Sequence, residues 1–238
     1  MDYFDLHIHS AFSEGTSNLE QLASTAKTLG YKGICFVVYF DRFKQLKKLE
    51  EEIEKTKKKI GIEIYLGFEA LDEKELMTLA NNRRKFDVLL VNGGDLKLNR
   101  AAVETPQVDI LTHPEYKRFD SGLNHVLAKA AAKNNVAIEV NFREILITNK
   151  KSRSTVIANI SKNVKLASKY RAPVILCSGV LSHFEIKDPL CLISMGTQVG
   201  LSLKGAKEAI SKIPQIIINQ SRERSQENWV MPGVKVIK

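Results

Sequence analysis

The chain has 238 residues, 44% of them hydrophobic and 26% charged, a balance that belongs to a folded globular protein and excludes a disordered one. No apolar run approaches the ~18 residues that a bilayer-crossing helix needs, and Met1-Asp2-Tyr3 lacks the basic and apolar regions of a secretory leader. A net charge of +9 favours an anionic partner, though charge alone does not separate nucleic acid from a phosphorylated metabolite.

The first element, "MDYFDLHIHS", reads as a strand. Successive strand side chains point to opposite faces, so Tyr3, Asp5, His7 and His9 are expected on one face and Phe4, Leu6 and Ile8 on the other. Two imidazoles at i and i+2 with a carboxylate near them could grip one cation, because neutral histidine ligates metals and an orienting carboxylate fixes its tautomer. The motif alone reads equally well as a polar strand end. A helix follows in "NLEQLASTAKTLG", with Leu19, Leu22, Ala23, Ala26 and Leu29 on one face and Gly30 as its stop. "GICFVVYF" is then a buried strand, and "RFKQLKKLEEEIEKTKKKIG" an amphipathic helix with Leu46, Leu49 and Ile53 inward and its charges solvated.

The alternation continues through "IEIYLGFEA" and "EKELMTLANNRRK", "FDVLLVNGG" and "LKLNRAAVE", "VDILTHP" and "SGLNHVLAKAAAKNN", "VAIEVNF" and "STVIANISKNVKLASKY". It closes with "PVILCSG", two helices in "DPLCLISMG" and "SLKGAKEAIS", and "QIIIN" as a candidate eighth strand. Near-continuous Val/Ile/Leu strands alternating with helices indicate a parallel sheet covered on its outer face. Seven or eight such units in one chain favour a single TIM-like (β/α) barrel over an open sheet. The expected domain is residues 1–219; residues 220–238, which hold Trp229, form a C-terminal tail that is flexible or orders on a partner. Cys35, Cys177 and Cys191 are scattered and odd in number, which fits a reduced, cytoplasmic protein.

Barrel sites lie where strands end and β-α loops begin. His7 and His9 end the first strand, Glu69 the third and His113 the fifth, while Glu139 and Asn141 share a face of the sixth. Each has an ordinary explanation as a satisfied polar cap, but together they suggest one mouth.

"DLHIHS", Glu69, "THP" and "EVN" resemble the polymerase-and-histidinol-phosphatase superfamily, whose members are distorted barrels that hydrolyse phosphoesters with a metal cluster. More of the chain, in "VNGGDLKLNRAAVE", "DSGLNHVLAKAAAKNNVAIEVNF", "CSGVL" and "DPLCLISMGTQVGLSLKGAKEAISKIP", is similar to the archaeal ribonuclease P protein component 3 family and its eukaryotic thirty-kilodalton counterpart. That resemblance runs from residue 2 to about 214. It implies a subunit that binds ribonuclease P RNA and assists removal of the 5′ leader from precursor tRNA, alongside protein component 2 and other subunits. In that family the RNA carries the chemistry and uses magnesium, so no residue of this chain is expected to be catalytic and no resident cofactor is expected.

The hydrolase pattern is incomplete here. The Asp-His that should end the second strand reads Val38-Tyr39, and the late Asp-x-His reads Gly179-Val180-Leu181. His7, His9, Glu69 and His113 survive as a vestigial set able to hold at most a single ion. Asp41 and His183 lie close enough in sequence to be considered as replacements. The alternative function is a metal-dependent phosphoesterase acting on a small phosphate.

The loops after strands two, four, five and six carry Arg42, Lys44, Lys97, Arg100, Lys117, Arg118, Arg143, Lys150, Lys151 and Arg153 against five acids, Asp41, Asp95, Glu115, Asp120 and Glu144. A basic rim of this kind suits phosphate backbone. With His113, all of these cations except Lys150 form the expected RNA-binding set, and Arg100 and Arg143 are singled out for their nearness to strand ends.

Overall fold

A computed structural model describes residues 1–226 and the backbone of a two-stranded hairpin, Trp229–Met231 with Val234–Lys235. Seven strands form one parallel sheet in sequence order: β1 (Tyr3–His9), β2 (Tyr31–Tyr39), β3 (Glu63–Ala70), β4 (Val88–Asn92), β5 (Ile110–Thr112), β6 (Ala137–Asn141) and β7 (Val174–Cys177). Helices α1 (Leu19–Thr28), α2 (Leu46–Ile60), α3 (Glu73–Asn81), α4 (Leu96–Glu104) and α5 (His125–Asn134) fill the first five crossovers. Two helices, α6 (Phe142–Ile147) and α7 (Lys150–Tyr170), lie between β6 and β7. Then come α8 (Pro189–Gln198), α9 (Leu203–Ala209) and α10 (Lys212–Arg224).

The sheet curls until β1 meets the chain after β7. Ile8 bridges Val180, the His9 amide donates to the Val180 carbonyl at 3.0 Å, and that of Gly179 to the His7 carbonyl at 3.1 Å. These few bonds leave a seam rather than a full ladder. Buried Asp5 sits in it and accepts from the Ser178 amide at 3.2 Å.

One expectation fails at this seam. From Asp5 to Ile8 the first strand advances three residues while its partner advances two, from Ile34 to Phe36. The bulge inserts one residue, which breaks strict alternation. Phe4 and Leu6 therefore pack in the inner cluster with Cys35 and Val37, while Ile8 packs in the outer one with Ile34 and Phe36. Asp5 is consequently separated from the face of His7 and His9, and serves the seam instead.

Two apolar layers result. The larger joins the outer strand faces to the helices, through Phe36, Phe68 and Leu89 against Leu22, Leu49 and Leu76. The smaller fills the barrel with Phe4, Leu6, Val37, Leu90 and Ile175. Ile217 and Ile218 belong to this inner layer. They lie on α10, so the "QIIIN" stretch is helix and not an eighth strand: an apolar run this short has no period that separates the two. Helix α10 touches β1, β4 and β7 and thus spans the end where strands begin. It also runs through residue 219, where the barrel was expected to end, and buries Ser221. The expectation for Trp229 and the end of the tail falls on side chains outside the described residues.

At that lower end, buried Arg83 donates to the carbonyls of Phe86 (2.9 Å), Asp87 (2.7 Å) and Gln107 (3.1 Å) and to the Asp109 carboxylate. Asp109 also accepts from the Leu89 amide at 2.8 Å and from Arg224 of α10 at 2.8 Å. One carboxylate thus ties β4, β5 and the closing helix together. No described helix is long and apolar enough to cross a membrane.

Candidate functional site at the barrel mouth

The opposite end collects the polar strand termini. Register places Tyr39 beside Glu69 and Asn92 beside Thr112, so these side chains rise in adjacent positions around the rim. His7 Nδ1 donates to Glu139 Oε1 at 2.6 Å, and the Nε2 atoms of His7 and His9 are 3.0 Å apart. Glu139 Oε2 accepts from the His113 amide at 3.1 Å and from Asn141 at 3.3 Å. Asn141 also caps α6 by accepting from the Arg143 amide at 3.0 Å. Glu69 Oε1 accepts from Thr112 at 2.8 Å and Asn92 at 3.3 Å, while its Oε2 is buried without a partner.

The charges follow from burial and this geometry. Burial alone would lower the His7 imidazole; the adjoining Glu139 carboxylate outweighs it and raises His7 to about 9. Burial would raise Glu139, and His7 instead brings it down to about 2. His9 falls to about 3 through burial and then the positive His7, and His113 to about 4 mainly through burial. Burial also raises Glu69 above the ordinary carboxylate range. The mouth therefore holds one buried imidazolium–carboxylate pair, with neutral His9 and His113 around it.

The ligating atoms of His7, His9 and Glu69 all lie within 4.8 Å of one another, and the orphaned Glu69 Oε2 is an atom that an ion would satisfy. Glu139 on His7 Nδ1 is the outer carboxylate that such a histidine ligand requires. These residues fit a single ion, which would have to displace the His7 proton and so bind more weakly as pH falls. His113 is not part of the converging set: its Nε2 faces Asn92 at 3.3 Å. His183 is committed to Ser17 at 2.7 Å; Asp41 accepts from the Gln45 amide through Oδ2 at 3.2 Å and, though its Oδ1 is buried without a partner, lies outside the converging set. The late ligand position is closed as well. Gly179 has φ +63°, and a Cβ there would stand 2.4 Å from the Asn141 amide group. Elemental analysis of protein purified without chelator is therefore expected to find fewer than two Zn, Mn or Fe per chain; two or more would refute this reading.

The predicted cations divide. Arg42, Lys44, Lys97, Lys117 and Lys151 are exposed, Arg42 and Lys117 at positive φ. Arg100 corrects its expected place beside a strand end: it is on α4, 67% exposed, paired with Glu104 one helical turn on at 2.8 Å. Arg118 forks onto Asp120 at 2.6 and 2.9 Å and donates to the Gly94 carbonyl at 3.0 Å. Arg143, expected in a loop, is on α6 and holds Glu185 at 2.9 Å. Lys150, Lys151 and Arg153 open α7 rather than a loop, and Arg153 turns back to the Thr148 carbonyl at 2.9 Å. His113, expected to touch RNA, is buried. Asn92 and Thr112, the donors to Glu69, went unread; each is a polar residue ending an apolar strand run, a signal open to strand-end reading.

Fold and site together define a parallel (β/α) barrel whose strand ends keep a histidine–carboxylate set sized for one ion, beneath a partly cationic rim. The chain belongs to the RNase P subunit p30 family, whose model matches residues 2–226. It is 35% identical to ribonuclease P protein component 3 of Methanosarcina mazei over 99% of this chain and 96% of that one. It is 33% identical to the protein of the same name from Methanothermobacter thermautotrophicus, covering 94% and 91%. Among solved structures it resembles a chain of archaeal ribonuclease P with mature tRNA, with TM-score 0.84, 30% identity and 98% of both chains covered. A Fervidobacterium islandicum β-aspartyl dipeptidase, at TM-score 0.57 and 10% identity over 92% of this chain and 74% of that one, shares the fold alone.

Proposed function

We propose that this chain is the p30-type protein subunit of ribonuclease P, that it binds the catalytic RNA, and that it assists removal of the 5′ leader from precursor tRNA in company with protein component 2 and other subunits. The observation that carries the reading is the near-complete correspondence with a chain of archaeal ribonuclease P. The physical role follows from the rim: exposed Arg42, Lys44, Lys97, Lys117 and Lys151 lower repulsion between RNA phosphates and release condensed counterions. The buried histidine–carboxylate set holds the mouth in shape, and magnesium acts on the RNA.

The test is reconstitution. The chain alone is expected to cleave neither precursor tRNA nor phosphate monoesters, while adding it to the RNA and its protein partner raises cleavage or lowers the magnesium requirement. One observation, the converging His7, His9 and Glu69, favours a second reading as a phosphoesterase. A bound ion there would polarise a phosphoryl oxygen or acidify a water. Turnover by the chain alone, lost in His9→Ala, would establish that reading instead.

A further inference from the structure

Just past β7, a single helical turn at His183–Glu185 presents Phe184 with 84% of its surface exposed. Its ring lies against the His183 imidazole, centroids 3.9 Å apart and planes tilted by 37°. His183 does not move freely: Ser17 in the loop after β1 meets its Nδ1 at 2.7 Å and accepts from its amide at 3.0 Å. Glu185, on the other side, accepts from the Leu181 amide at 3.0 Å and from Arg143 at 2.9 Å. The aromatic pair is therefore clamped between two loops of the mouth, so little ordering cost remains to be met on binding.

Isolated exposed aromatics are common on protein surfaces; one backed by a hydrogen-bonded histidine, and next in sequence to a glutamate that holds an arginine, is a more specific arrangement. A phenylalanine that docks another protein sits at the centre of an apolar patch with polar residues at its rim. The turn that carries Phe184 is polar instead: Ser182 accepts from the Phe184 amide and meets Ser17, and Glu185, next in sequence, holds Arg143. An exposed ring face and a neighbouring guanidinium, only 26% exposed and with one of its N–H donors on Glu185, match the two halves of a nucleotide: base and phosphate.

We propose that the His183–Phe184 pair is a stacking platform for an unpaired base of an RNA strand crossing the barrel mouth, with Arg143 set to receive the adjoining phosphate. This rests on the RNA-binding reading above and deepens it: the recognised element is single-stranded. Stacking accepts any base, because every base has a π face, and it contributes nothing to counterion release.

The test compares a labelled single-stranded oligoadenylate with an RNA duplex of the same length, each titrated over a range of salt, for the wild type, Phe184→Ala, Phe184→Trp and His183→Ala. Phe184→Ala is expected to weaken oligoadenylate binding by about 5- to 150-fold, the range for one stacked base. Duplex affinity and the log-log salt slope should stay as in the wild type. Phe184→Trp should restore binding, and His183→Ala should fall between. The platform is overturned if Phe184→Ala binds oligoadenylate like a wild type that itself binds well, or if Ala and Trp at this position lose affinity equally; the RNA reading survives both. It is also overturned if Phe184→Ala keeps oligoadenylate affinity but no longer assembles with the protein subunits, which makes the ring a protein contact. A wild type that binds neither RNA, in reconstituted holoenzyme or alone, removes the RNA reading and the platform with it.

Discussion

Glu139→Gln is expected to pull the His7 titration down and to cost stability, by less than the ~3–5 kcal/mol of stranding a buried charge, because His7 can shed its proton. The substitution keeps size and hydrogen-bonding atoms but removes the charge that opposes burial at His7. In the wild type the His7 imidazole should stay protonated until about pH 9, whereas His9 and His113 should titrate near 3 and 4. In the variant His7 should titrate well below its wild-type value, because only the weaker Glu69 and Asp5 charges then oppose burial. The stability profile has a determined sign. His7, raised in the folded state, stabilises fully below about 6.5, and that share is lost as pH rises through about 9. Glu139, depressed, stabilises fully above about 4.5, and its share is lost as pH falls towards about 2. The pair therefore contributes most between about pH 4.5 and 6.5. Imidazole NMR titration and urea unfolding across pH read both effects; an unchanged His7 titration in Glu139→Gln would show that another group holds the proton.

Asp109→Ala should be more damaging, at the other end of the barrel, because an arginine cannot shed its charge. The carboxylate answers two guanidinium groups and one backbone amide. Without it Arg83, buried and already pushed down by burial, keeps only carbonyl acceptors, and the Asp87 charge acts on it without a direct bond. The expected loss is about 3–5 kcal/mol. At about 2–4 °C per kcal/mol for a chain of this size, the melting temperature should fall by roughly 6–20 °C. Adding Arg83→Met to Asp109→Ala should recover part of the loss, since the stranded charge is removed. A single variant within about 1 kcal/mol of the wild type would mean that Arg83 finds water where the fold shows burial.

The barrel was legible because its strands are long apolar runs with helical periods between them, and a repeating rhythm needs no detail of contact. What escaped was short or non-periodic. Helix α6 has six residues and begins immediately after β6, so its signal is one capping asparagine, Asn141. Helix α10 carries its apolar residues in a tight group, which reads as a strand when the helix around it is missed. In the mouth, His7, His9 and Glu69 were identifiable as strand-end residues that converge. The separation of Asp5 from them was not, because one inserted residue in β1 leaves no mark in composition or alternation. The cations were found as residue types, but their partners were not: Arg143 meets Glu185 from forty-two positions away, a distance that only folding closes.

Helix α10 gives the barrel an order in time. Phe4 and Leu6 are synthesised long before Ile217 and Ile218, which share the inner layer with them. Parallel strands can pair as they emerge, one crossover after another, but the interior has no floor until residues 212–224 exist. A nascent chain that has finished all seven strands still lacks the helix that covers this layer. The Asp109 carboxylate waits on Arg224 over the same interval. Closure of the inner layer thus waits on α10, and a chain interrupted before it would expose that apolar layer to solvent.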